Sequence, residues 1–81
     1  MFEMEVVMQM TPQTIGKKIR DTRKKLRVTQ KDLALTSGTG LRFIIDLEKG
    51  KPTCHIGKAL TVLQTLGIEL TLKTPHGNGE P

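Results

Sequence analysis

The apolar positions of this chain fall into four helix-spaced groups followed by one alternating run. In "TPQTIGKKIRDTRKKLR", Ile15, Ile19, Thr22 and Leu26 recur at helical spacing, with Thr11 placed to cap the segment and Pro12 at its first helical position. Thr29 opens "TQKDLALTSG" with Asp32 three residues on, in capping-box spacing, and Leu33, Ala34 and Ser37 lead to a stop at Gly38. A third helix is expected from about Gly40 to Lys49, ended by Gly50, where a left-handed backbone costs least. In "PTCHIGKALTVLQTLG", Thr53 is expected to cap a fourth helix whose core stripe is Ile56, Leu60, Leu63 and Leu66, closed by Gly67. "IELTLK" then alternates Ile68, Leu70 and Leu72 against Glu69, Thr71 and Lys73, the pattern of a strand.

The expected fold is therefore mainly α: a compact bundle of about four helices over residues 11–67, with a short C-terminal β-strand over 68–73. Residues 74–81, "TPHGNGEP" after Lys73, have the composition of a disordered tail, and residues 1–10 read as a leader or an extra strand.

The third helix carries more apolar residues than one buried stripe needs. On a helical wheel Phe43, Ile44 and Leu47 share one face and supply its core contacts. Leu41, Arg42, Ile45, Asp46 and Lys49 lie opposite, two branched aliphatics among three charges. Leaving Leu41 and Ile45 in water forgoes about 1.5 to 3 kcal/mol of burial for each. The pattern implies that something covers that face.

Charge suggests what. Thirteen Lys and Arg against eight Asp and Glu give the 81-residue chain a formal charge of +5, which favours polyanionic partners such as nucleic acid or anionic membrane without choosing between them. Phe2 and Phe43 are the only aromatics, so the core is aliphatic. With Cys54 as the only cysteine, no internal disulfide can form, and Cys54, His55 and His76 lack the spacing of a tetrahedral metal site. No apolar run approaches the roughly 20 residues that span a bilayer, and "MFEMEVVMQM" is acidic where a signal peptide is basic. These features fit a soluble protein of the cytoplasm, associated with the nucleoid if it binds DNA. An enzyme is not expected: there is no Gly-rich phosphate loop, no paired catalytic carboxylates, no Ser/His/Asp set, and no call for a cofactor.

The second helix, the turn "GTG" and the third helix are the parts of a helix-turn-helix, whose second helix enters the major groove. Small Ala34 lets the two helices cross closely, Gly38 permits the turn, and Ile44 and Leu47 lock the third helix onto the second. The span Thr29–Gly50, with "TQKDLA", the glycine turn and "LEKGK", resembles the phage-repressor and Cro-type (XRE) class of helix-turn-helix regulators, which implies a lambda-repressor-like fold. Two positions depart from the class: Thr39 replaces an aliphatic turn residue, and Gly40 stands where Ser or Thr commonly caps the third helix. The resemblance also implies a structural ion pair between Arg23 and Glu48.

On this reading Arg42 reaches the O6 and N7 atoms of a guanine, and Leu41 and Ile45 lie against thymine methyl groups. Asp46 either accepts from a cytosine amino group or orients Arg42 from four residues away, the second being preferred. Gln30, Lys31, Lys49 and Lys51 are candidate phosphate contacts, which set register without reading sequence. The competing account of the surplus aliphatics is a protein interface. Lys17, Lys18, Arg20, Lys24 and Lys25 spread around the exposed half of the first helix as an ordinary solvated face, adding long-range attraction to DNA.

The strand needs a partner for its backbone groups. Antiparallel pairing with a second copy would bury Ile68, Leu70 and Leu72 in a homodimer and set two recognition helices on the half-sites of a palindromic operator, about 34 Å apart. Pairing within the chain to "EVVMQM" is the alternative. The run "LEKGKPTCHIGKALTVLQTLGIELTL", with the helix-turn-helix upstream, is similar to the HipB antitoxins over about residues 11–73. That resemblance implies autorepression of a toxin–antitoxin operon and a HipA-type kinase toxin as protein partner. A stand-alone phage-type regulator, or an interaction module on the same scaffold, remains the alternative.

Overall fold

The computed structural model describes residues 10–52 and 55–71. Four helices follow one another: α1 (Pro12–Lys25), α2 (Gln30–Ser37), α3 (Leu41–Lys49) and α4 (Ile56–Thr65). Their ends are set by local chemistry. The Thr11 hydroxyl accepts from the Thr14 amide, the Thr14 hydroxyl in turn accepts from the Thr11 amide, and Pro12 takes the first turn. Thr29 caps α2 by accepting from the Asp32 amide. Gly38 and Gly50, at φ 73 and 82, end α2 and α3 in the left-handed region. Gly67, at φ 76, follows α4, where the amide of Ile68 reaches back to the Leu63 carbonyl at 2.9 Å.

Helix α3 packs against both α1 and α2, and α4 packs on α2. The core so formed is aliphatic: Ile19, Leu33, Ala34, Ile44, Leu47, Ala59, Val62, Leu63 and Leu66, flanked by Ile15, Val28, Phe43 and Ile68. Ile19, Leu33, Ile44 and Val62 are the largest side chains fully shielded from water.

Several sequence expectations need correction. Leu26 is 54 % exposed, because α1 ends at Lys25 and its inward face is Gly16, Ile19 and Arg23. In α4, Ile56 and Leu60 face outward, while Ala59 and Val62 join Leu63 and Leu66 inside. The buried stripe is turned by roughly half of one residue's step of about 100°. Ala59 has the small side chain that suits the crossing with α2, which a larger residue would hold apart. His55 caps α4, its Nδ1 accepting from the Lys58 amide at 3.3 Å; Thr53, expected there, lies outside the described residues. Helix α3 starts at Leu41, with Gly40 as an N-cap that offers no side chain.

Among the described residues there is no strand. A strand is defined by its pairing, and no described segment pairs with residues 68–71. Lys73 and Leu72 lie outside the described residues, as do residues 1–9 of the leader and the 74–81 tail.

Candidate nucleic-acid interface

The turn between α2 and α3 closes on its own polar groups. The Ser37 hydroxyl donates to the Leu33 carbonyl at 2.7 Å, so the 2.9 Å contact between Ser37 Oγ and Thr39 Oγ1 is donated by Thr39. The Thr39 amide returns to the Ala34 carbonyl at 3.0 Å. The polar residue at this turn position is thus satisfied within the motif rather than against the core. Gly40 leaves the amides at the start of α3 without a side-chain acceptor, while its own carbonyl accepts from the Ile44 amide.

Ile44 and Leu47 are buried, Phe43 packs on the core and the Glu48 side chain is turned to Arg23, which leaves the opposite side of α3 facing away from the bundle. Leu41 is 41 % exposed, Arg42 and Lys49 are exposed, and Ile45 and Asp46 are half-buried. Asp46 sits between two cations: Oδ1 is 3.6 Å from Nη1 of Arg42, and Oδ2 is 3.6 Å from Nζ of Lys51. The carboxylate therefore lies within ionic reach of both side chains, while Lys31 on α2 and Lys49 on α3 are exposed.

Behind this face lies a buried ionic group. Arg23 Nε donates to Glu48 Oε2 at 2.6 Å and Nη2 donates to Oε1 at 3.0 Å, a two-point grip between α1 and α3. Nη1 donates to the Val28 carbonyl at 2.9 Å, tying the α1–α2 connection to the same guanidinium. Both charged side chains are about nine-tenths or more removed from water, at 10 % and 4 % exposure. Gln30, at the start of α2, donates its Nε2 to Glu48 Oε1 at 3.1 Å.

Leu41, Arg42, Ile45, Asp46, Lys49 and Lys51 lie on α3 and its exit, and Gln30 is tied to that helix through Glu48. Ile68 packs on the core and Leu70 is exposed at the other end of the chain, after α4.

Sequence reasoning passed over Gly16. A methyl group there would collide with the carbonyl oxygens of Leu47 and Glu48, so this glycine sets how closely α1 approaches α3. A lone glycine inside a helical pattern was the available signal. The tie from Gln30 to Glu48 carried no such signal, since the two residues are 18 apart and belong to different helices.

Among the described residues no helix is long and apolar enough to cross a membrane, and no three metal-ligating side chains converge.

The comparisons agree with this geometry. No family model matches the chain. It is 52 % identical over 65 residues to y4mF, an uncharacterized HTH-type transcriptional regulator of Sinorhizobium fredii (strain NBRC 101917 / NGR234), covering 80 % of this chain and 86 % of that protein. Among solved structures it is similar to a HipB–O4 20mer complex, with a TM-score of 0.74 at 20 % identity, covering 84 % of this chain and 96 % of that one. It is also similar to a HipA–HipB–O2–O3 complex, with a TM-score of 0.75 at 20 % identity and the same coverage. The fold is the HipB-like helix-turn-helix fold, and the chain belongs to the HTH-type transcriptional regulators.

Proposed function

We propose that this chain is a sequence-specific DNA-binding repressor whose recognition element is the outer face of α3. The observation that carries the reading is that face itself. Exposed Leu41, half-buried Ile45 and a guanidinium beside Asp46 lie on a helix whose other side is locked by Ile44 and Leu47. Water is a poor partner for that mixture, and a major groove is a good one: guanine offers two acceptors to a guanidinium, and thymine offers a methyl group to Leu41 or Ile45. Asp46 acts on Arg42 rather than on a base. Lys31, Lys49, Lys51 and Gln30 hold phosphates.

The chain acts as a homodimer on a palindromic operator, with Ile68, Leu70 and Leu72 in the contact between copies. Support for this part comes from the exposure of Leu70 and Leu60 beside Ile68 at the end of α4. The further reading is that the chain is an antitoxin that represses its own operon and binds a HipA-type kinase toxin in the cytoplasm; its likeness in fold to a HipB–O4 20mer complex and a HipA–HipB–O2–O3 complex supports it.

Selection of duplex sequences from a random pool by the purified chain tests the DNA reading, and a palindromic consensus is expected. Light scattering of the full chain against a chain ending at Gly67 tests the dimer. A dimer that survives removal of residues 68–81 contradicts the strand-mediated assembly.

A further inference from the structure

Glu48 has one acceptor more than its ion pair requires. Arg23 takes Oε2 with Nε and Oε1 with Nη2, yet Oε1 accepts a second hydrogen bond, from Nε2 of Gln30. Gln30 is the first residue of α2, directly after the Thr29 cap, so its own backbone amide belongs to the first turn, whose amides point out of the helix. A glutamine in such a place ordinarily samples many rotamers, and fixing it on a phosphate costs side-chain entropy at the moment of binding. Here one N–H is already held by a carboxylate that is itself clamped by a buried guanidinium. Gln30 is half-buried, and its second side-chain N–H and its oxygen have no hydrogen-bond partner among the described residues.

We propose that Glu48 is a positioning residue for DNA binding: through Oε1 it orders the Gln30 amide in advance, so the phosphate contact forms without a further loss of rotamer freedom. The inference rests on the DNA-binding reading above. It gives the Arg23–Glu48 pair a second role, because the pair that joins α1 to α3 also sets the conformation of a side chain on α2. All three helices of the helix-turn-helix region are then registered to one carboxylate before DNA arrives. Arg23 and Gln30 together place three hydrogen bonds on the carboxylate, and the third of them comes from α2. The geometry follows the logic of a preorganised contact, in which ordering done in the free protein is not charged to the complex.

The test is a double-mutant cycle on a 20-base-pair duplex selected by the wild-type chain from a random pool. Q30A is compared with wild type, and R23M/E48M/Q30A with R23M/E48M, the methionines keeping the interior filled without charge. The proposal expects Q30A to weaken binding about 10-fold in the wild-type background, or about 1.4 kcal/mol, and less than 2-fold in the second. An equal loss in both backgrounds overturns it. The second measurement needs no DNA and no folded variant. In the free wild-type chain, NMR should show the Gln30 side-chain amide in a single rotamer with a contact to the Arg23 Hη2 protons, which share Glu48 Oε1 with it. A rotamer-averaged Gln30 overturns the proposal. A wild-type chain that selects no duplex instead overturns the DNA-binding reading, and the NMR result still decides whether Glu48 orders Gln30.

Discussion

Gly16 and Leu47 meet so closely that α1 has no room for a side chain at its crossing with α3: a Cβ on Gly16 would overlap the Leu47 carbonyl oxygen and lie 2.8 Å from that of Glu48. The cost of keeping glycine inside a helix, about 1 kcal/mol relative to alanine, is accepted for this contact. It also brings α1 near enough for Arg23, two turns further on, to reach Glu48.

Gly16→Ala should therefore destabilise the domain although it favours the isolated helix. Overpacking of about 1–3 kcal/mol outweighs the gain in propensity, and thermal unfolding should shift down by several degrees. A melting temperature that stays level or rises would show that the two helices separate without penalty.

Arg23→Ala removes one half of a buried pair and leaves the Glu48 carboxylate with Gln30 as its remaining side-chain partner. A loss of roughly 3–5 kcal/mol is expected, large against the stability of so small a domain. Urea denaturation measures it. Replacing both partners with methionine should cost far less than either single truncation, since no charge is then stranded.

Arg27 adopts φ 60, a left-handed conformation that disfavours any side chain, where the chain leaves α1 and its amide returns to the Lys24 carbonyl at 3.0 Å. Arg27→Gly should raise stability by about 0.5–1 kcal/mol by relieving that backbone. The urea midpoint is the readout. A lowered midpoint would mean that the arginine side chain contributes more than its backbone costs.

Asp46→Ala should leave stability within about 0.5 kcal/mol, because its two ionic contacts at 3.6 Å are long and face solvent. Its effect should appear in recognition. Freed from the carboxylate, Arg42 can turn to more than one base, so sequence selection should return a broader preference at a single operator position. Loss of preference at every position alike would assign Asp46 to the fold instead.

Most helix ends were legible in the sequence because they depend on local chemistry, the start of α4 excepted, where His55 caps instead of Thr53. Thr11, Thr29, Gly38 and Gly50 each mark the boundary that the structure shows. The rotation of a helix about its axis was less legible, because neighbours decide it. Leu60 and Ile56 look like core by spacing, but α4 turns Ala59 and Val62 inward to pack on α2. Leu26 fails for a related reason: Arg23 takes the inward position by virtue of a partner 25 residues away. Helix α3 was read more closely because Phe43, Ile44 and Leu47 leave only one way to bury it. The polar ties behind it, from Gln30 to Glu48 and from Ser37 to Thr39, depend on side-chain placement that no residue pattern encodes.

The central claim is that the face of α3 carrying Arg42 reads bases. Binding of the wild-type chain and of Arg42→Ala to the selected operator, and to a set of operators altered one base pair at a time, measures this directly. The account predicts that the variant folds normally, loses about 10- to 100-fold in affinity for the selected sequence, and no longer distinguishes one G·C pair in each half-site. A weakening of the same size on every sequence, with each base preference intact, would contradict it.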